Sequence, residues 1–120
     1  MLDESILSQF TGSEEWHRHL SGLLFTDGIL YLAQNGGKGG AFWLIDAIAS
    51  YQPDKRIRGN AMLRDFQLWE LAVTGSTAVL SCRADSDRKP VISQVIEFTD
   101  FDRSIKLYVC GDTLLLPSEY

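Results

Sequence analysis

The chain is poor in several things that would direct it to a function. It has two cysteines, three prolines and two histidines in 120 residues. Cys82 and Cys110 stand apart with no Cys-x-x-Cys spacing, which leaves no disulfide framework or redox pair to read. Both lie in strand-like runs and are expected as buried, reduced thiols. Pro53, Pro90 and Pro117 are too dispersed for a linker. No run approaches the about 18 apolar residues of a membrane span, and Met1-Leu2-Asp3-Glu4-Ser5 has no apolar leader-like core. The expected location is therefore the cytoplasm, with no membrane association.

Positive charge is also scarce. Eleven Lys and Arg face sixteen Asp and Glu, for a net charge of −5. The basic residues are scattered, with short clusters at Lys55, Arg56, Arg58 and at Arg88, Lys89. Nucleic-acid binding rests on a basic patch that displaces phosphate counterions, so nucleic acid is not the expected partner.

What is present is ordinary globular material: 45% apolar and 22% charged residues. A chain of this length suits one domain, residues 1–120, able to bury roughly 65–70% of the surface its unfolded form exposes. The expected fold is α+β. Residues 1–53 read as mainly helical, and residues 66–117 as an antiparallel meander of four or five strands with the helices on one face.

The helical expectation begins with a short turn over Leu2–Phe10. Thr11 and Glu14 have capping-box spacing ahead of Trp16, Leu20, Leu23 and Leu24, which suggests a helix that Gly22 cuts short. Thr26-Asp27 is a second N-cap signal, followed by Ile29, Leu30, Leu32 and Ala33 and stopped at Gly36-Gly37. A third helix, Ala41 to Gln52, is apolar nearly all round and is expected as the buried centre, supplying Trp43, Ile45 and Ile48 to the sheet near Trp69. Pro53 ends it.

From Phe66 the period becomes two. Ala78, Leu80, Cys82 and Ala84 share one face, as do Ile92, Ile96 and Phe98 with Gln94 interrupting, and Ile105, Leu107 and Val109. The strand-like runs are Phe66–Val73, Thr77–Ala84, Val91–Phe98, Ser104–Val109 and Thr113–Leu116. Turn-like residues separate them at Thr74-Gly75-Ser76, Asp85 to Pro90, Asp100-Phe101-Asp102 and Cys110-Gly111-Asp112.

Few constellations suggest chemistry. His17 and His19, on a helix, would point about 200° apart, and only Glu15 and His19 have the i,i+4 spacing of two metal ligands; no metal site is expected. Gly36-Gly37-Lys38-Gly39-Gly40 lacks the strand before it and the Ser/Thr after its lysine that a phosphate loop needs, and is expected as a flexible connection. Asp85-Ser86-Asp87 fails as a calcium loop at Lys89 and Pro90. Asp100 and Asp102 beside Glu97 are routine turn acids. No Gly-x-Ser-x-Gly and no dinucleotide fingerprint is present, so no catalytic residue and no cofactor is assigned.

The aromatic stripe Trp16, Tyr31, Phe42, Trp43, Trp69 is expected in the core. Asp46, an acid in an apolar helix, must face solvent, cap something or be hydrogen-bonded.

Phe10-Thr11-Gly12-Ser13-Glu14-Glu15-Trp16, Thr26-Asp27-Gly28, Ala41-Phe42-Trp43-Leu44-Ile45-Asp46 and Leu115-Leu116-Pro117-Ser118-Glu119-Tyr120 together resemble a family of small bacterial proteins catalogued as a domain of unknown function. Phe66-Gln67-Leu68-Trp69 and Glu97-Phe98-Thr99-Asp100-Phe101 extend the resemblance over almost the whole chain. It implies a bacterial source, in some cases a mobile element, and carries no catalytic residue. The glycine cluster is longer than the family's link between the second and third helices, which fits a tolerated loop.

The expected function is a non-enzymatic binding or interaction domain, with a protein partner or a homo-oligomer. A second expectation is a small enzyme or ligand-binding domain with a site at Trp16, His17, His19, Asp27 and Asp46. A third is an acidic inhibitor of a nucleic-acid enzyme, with carboxylates spaced like phosphates.

Overall fold

The computed structural model describes residues 2–12 and 15–120. It contains helices α1 (Glu4–Leu7), α2 (Asp27–Asn35), α3 (Phe42–Tyr51), α4 (Lys55–Arg58) and α5 (Ala61–Asp65). The strands are β1 (Trp16–Arg18), β2 (Leu24–Thr26), β3 (Phe66–Thr74), β4 (Thr77–Arg83), β5 (Ile92–Ile96), β6 (Ile105–Cys110) and β7 (Thr113–Leu115), before a 3-10 turn at Pro117–Glu119. The fold is α+β, as the patterning predicts.

Local chemistry starts the helices. The side chains of Asp3, Thr26, Asp54 and Asn60 accept backbone N–H groups at the starts of α1, α2, α4 and α5. Helix α3 has no side-chain cap and is held by burial of Leu44, Ile45, Ile48 and Ala49. Its burial is one-sided, since Phe42 and Asp46 are exposed.

Several expectations need correction. The sheet has seven strands, in the order β1-β2-β7-β6-β3-β4-β5, and it is mixed because β2 runs parallel to β7. The five C-terminal strands do form, but not as a simple meander: β6 pairs with β3 instead of β5. The link over residues 97–104 is more than a turn. It buries Thr99 and Phe101, and its length lets the chain cross to the far side of β3.

The helix expected across Trp16–Leu24 is a β-hairpin, with Trp16 opposite Thr26 and Arg18 opposite Leu24. The His19 amide donates to the Leu23 carbonyl at 2.8 Å, the Gly22 amide donates to the His19 carbonyl at 2.9 Å, and Gly22 has φ of 99°. That backbone angle belongs to a turn and favours glycine. Leu20, which helical spacing would bury, is fully exposed. The capping-box partner Glu14 lies outside the described residues. Helices are also not confined to the N-terminal side, because α4 and α5 stand directly before β3.

The core face of the sheet follows from register. Trp69 lies between Cys82 and Leu107, Leu71 between Leu80 and Ile105, and Val109 between Gln67 and Leu114. Trp69 is fully buried and packs on Tyr51 of α3 at 5.7 Å between ring centres. The polar residues on this face are satisfied. Gln94 accepts from the Tyr51 hydroxyl at 2.7 Å, and Gln67 exchanges two hydrogen bonds with Gln52 while accepting from the Trp69 indole at 2.8 Å.

The aromatic stripe divides. Trp69 is core, whereas Trp16 is 58% exposed and Phe42 about half exposed.

At the C-terminus, the Glu119 carboxylate accepts from the Thr26 hydroxyl at 2.6 Å, the Leu116 amide at 3.0 Å and the Gly28 amide at 3.4 Å. A Cβ at Gly28 would lie 2.6 Å from Glu119 Oε1 and 2.7 Å from a Leu116 methyl, so a larger residue at the start of α2 would displace the Glu119 carboxylate from its partners.

Candidate functional site

In an extended strand, residues two apart share a face. His17 sits in β1, and His19 continues the hairpin pairing through its bond to Leu23. The two histidines therefore point the same way and do not diverge by 200°. Each meets a carboxylate from a different helix. His17 Nε2 lies 2.9 Å from Asp27 Oδ1 at the start of α2, and His19 Nε2 lies 2.7 Å from Asp46 Oδ1 on α3. The His17 ring also stacks on Phe25 at 5.4 Å.

At His19 the Ser21 amide donates to Nδ1 at 3.0 Å, which places the ring proton on Nε2, where it is donated to Asp46. Ser21 Oγ lies 2.9 Å from the same Nδ1. Serine, histidine and aspartate thus follow one another as in a hydrolase relay. The local chemistry differs, because Nδ1 also receives a backbone N–H, and the Asp46 side chain is 69% exposed. A relay of that kind depends on a buried carboxylate and a base nitrogen reserved for the nucleophile. The arrangement ties the hairpin to α3, and the His17–Asp27 contact ties it to α2.

Of the five residues singled out from the sequence, the structure brings together His17 with Asp27 and His19 with Asp46. Trp16 pairs with Thr26 on the adjacent register position, and so on the opposite sheet face from His17. Two cavities, one beside Glu4, Arg103 and Leu116 and the other beside Ser50, Arg58 and Arg64, include none of these five side chains.

Glu15, His17 and Asp27 each bring one ligand atom to within 4.8 Å of the others, the spacing of a small metal cluster. Asp27 is the first residue of α2, where the unpaired N–H groups stabilise its carboxylate.

The glycine cluster is anchored. Its amides do bind anions, and the anions are internal: Asp102 accepts from Gly37, and Asp100 Oδ2 accepts from Lys38 at 2.9 Å. The turn acids of 100–102 and the glycines are thus one feature, linked across 62 to 65 residues of sequence.

Cys82 is buried, and desolvation pushes its thiol from the usual 9.0 up to about 12. Cys110 is only half-buried, and burial raises it in the same direction. Their strands, β4 and β6, are separated by β3. Asp54 is held down at about 2, first by the Arg56 side-chain hydrogen bond and then by the Arg56 amide.

Sequence reading missed a surface feature. Strand β5 is an edge of the sheet, and Ile92-Ser93-Gln94-Val95-Ile96 contains no charge and no proline. Val95 pairs with Val79, which pairs with Ala72, and all three are exposed on the face turned away from α3. Val95 is 69% exposed, and Phe98, just beyond the strand, is 76% exposed. The missing charges were visible as sequence, but that β5 is an edge became visible only with the sheet order.

The chain is therefore an α+β protein with a mixed seven-stranded sheet, one edge strand of which, β5, carries no charge. It belongs to a family of unknown function, DUF6876, whose model matches residues 1–120. No curated protein and no solved structure matches it. Among the described residues, no helix is long and apolar enough to cross a membrane.

Proposed function

We propose that this protein is a non-enzymatic interaction domain of the bacterial cytoplasm whose partner is a second copy of itself, joined through β5. The observation that carries this reading is the uncharged β5 edge with Val95 and Phe98 beside it. An edge strand exposes a row of unpaired N–H and C=O groups, and proteins guard such edges with Lys, Pro or short length. Five residues with none of these devices form a template for strand addition. A strand without charge meets its own copy without like-charge repulsion, and the Ala72–Val79–Val95 stripe extends the contact beyond the backbone.

The rival readings have less beneath them. An enzyme at His17 and His19 needs a cleft, whereas the two His–Asp contacts act as ties between elements. A nucleic-acid mimic needs a free ladder of carboxylates, whereas Asp3, Asp54, Asp100, Asp102 and Glu119 are spent on backbone amides.

Size-exclusion chromatography with light scattering, from micromolar to millimolar chain, tests the proposal. The wild type is expected to dimerise and Val95→Lys to remain monomeric with an unchanged circular dichroism spectrum. A strictly monomeric wild type over that range, or a Val95→Lys dimer as tight as wild type, overturns it.

A further inference from the structure

A cavity of about 690 Å³ opens between the β1–β2 turn, the C-terminal end of α3, α4, α5 and the β6–β7 turn. Its volume lies in the range of small-molecule sites. Arg58 of α4 and Arg64 of α5 both line it, with Asp112 from the β6–β7 turn. In a chain of net charge −5, this is a local excess of positive charge.

The other arginines near carboxylates are engaged: Arg56 with Asp54 and Arg103 with Glu4. Among the described residues, no carboxylate lies within ion-pair distance of Arg58 or Arg64. The Asp112 carboxylate accepts instead from the Thr113 hydroxyl at 3.2 Å.

Gln67 supplies a buried polar wall, with only 1% of its surface exposed. Its amide is locked by Gln52 and the Trp69 indole, so the wall is rigid before anything binds. Leu23 and Ile57, both buried residues, supply apolar lining. Guanidinium groups present planar N–H donors that match phosphate oxygens, and two of them beside an apolar wall suit an anion attached to an apolar body.

We propose that this cavity binds a small organic phosphate, its phosphoryl group held by Arg58 and Arg64 and its body against Leu23 and Ile57. The site is remote in sequence from β5 and stands or falls independently of self-association.

Isothermal titration of the full chain tests it with AMP, phenyl phosphate, inorganic phosphate and adenosine as the injected probes. At least one of the two organic phosphates is expected to bind, more tightly than inorganic phosphate and adenosine and more weakly as salt is raised. Arg58→Ala and Arg64→Ala are each expected to weaken that binding ~10-fold or more, as loss of a charge-assisted hydrogen bond does. Arg56→Ala, outside the cavity lining, should leave it unchanged. Both key arginines are exposed, so their variants are expected to fold; circular dichroism checks this. No binding by either organic phosphate at millimolar concentration overturns the proposal. So does inorganic phosphate or adenosine binding as tightly as the organic phosphates, or equal binding by a folded Arg58→Ala, Arg64→Ala double variant.

Discussion

Asp102 accepts the Gly37 amide through Oδ1 at 2.7 Å while its Oδ2 accepts the Leu2 amide at 2.8 Å. One half-buried carboxylate thus fastens the α2–α3 loop and the N-terminal segment to the β5–β6 crossover. Gly37 has φ of 69°, and a Cβ there would collide with the Asp100 carboxylate, so the loop conformation and the two acids require each other. Asp102→Ala leaves two amides without their acceptor and is expected to cost about 1–3 kcal/mol in urea unfolding. Asp102→Asn should lose less, since its carbonyl oxygen still accepts. Equal stability of wild type and Asp102→Ala would show that the crossover is held by Phe101 packing alone.

The His19–Asp46 contact spans 27 residues of sequence and joins the hairpin to α3. With Asp46 largely exposed, solvent screening limits its worth. A double-mutant cycle using His19→Ala and Asp46→Ala is expected to give a coupling of about 0.5–1 kcal/mol. A coupling near zero would remove it as a tie between the two elements.

The thiols should differ in reactivity. Only the thiolate attacks a disulfide reagent. In the native protein Ellman's reagent is expected to titrate Cys110 slowly and to reach Cys82 only on unfolding. The same shift sets a pH dependence. Because the folded Cys82 pKa is raised, folded protein holds its proton where unfolded protein releases it. The stabilisation is therefore fully present below about pH 9 and is lost as pH rises toward 12. Urea midpoints from pH 8 to 11 should fall more steeply for wild type than for Cys82→Ala. Parallel curves, or two thiols reacting at one rate in native protein, would contradict this assignment.

Helices α2 and α3 and strands β3 to β7 were legible along the chain because each is announced locally. Thr26 caps, Pro53 stops, and alternation from Phe66 onward places Trp69, Leu80 and Val109 on one face. The β1–β2 hairpin had no such announcement. It has three residues per strand and gains its place by pairing Leu24 and Phe25 with Thr113 and Leu114 at the far end of the chain. Apolar spacing at Trp16, Leu20, Leu23 and Leu24 mimicked a helix because periodicity cannot register a partner strand that lies elsewhere. The candidate residues were found by type, but their pairing depended on that same error: on a helix the histidines diverge, on a strand they align.

Composition, caps and alternation by themselves determined an acidic α+β chain and most of its helix and strand boundaries, since these depend on each residue's neighbours within a turn or two. Tertiary structure alone decided the sheet order, the edge position of β5, the partners of His17 and His19 and the cavity that Arg58 and Arg64 both line. Each of these depends on which distant segments come into contact, and that is set by burial of the whole core at once.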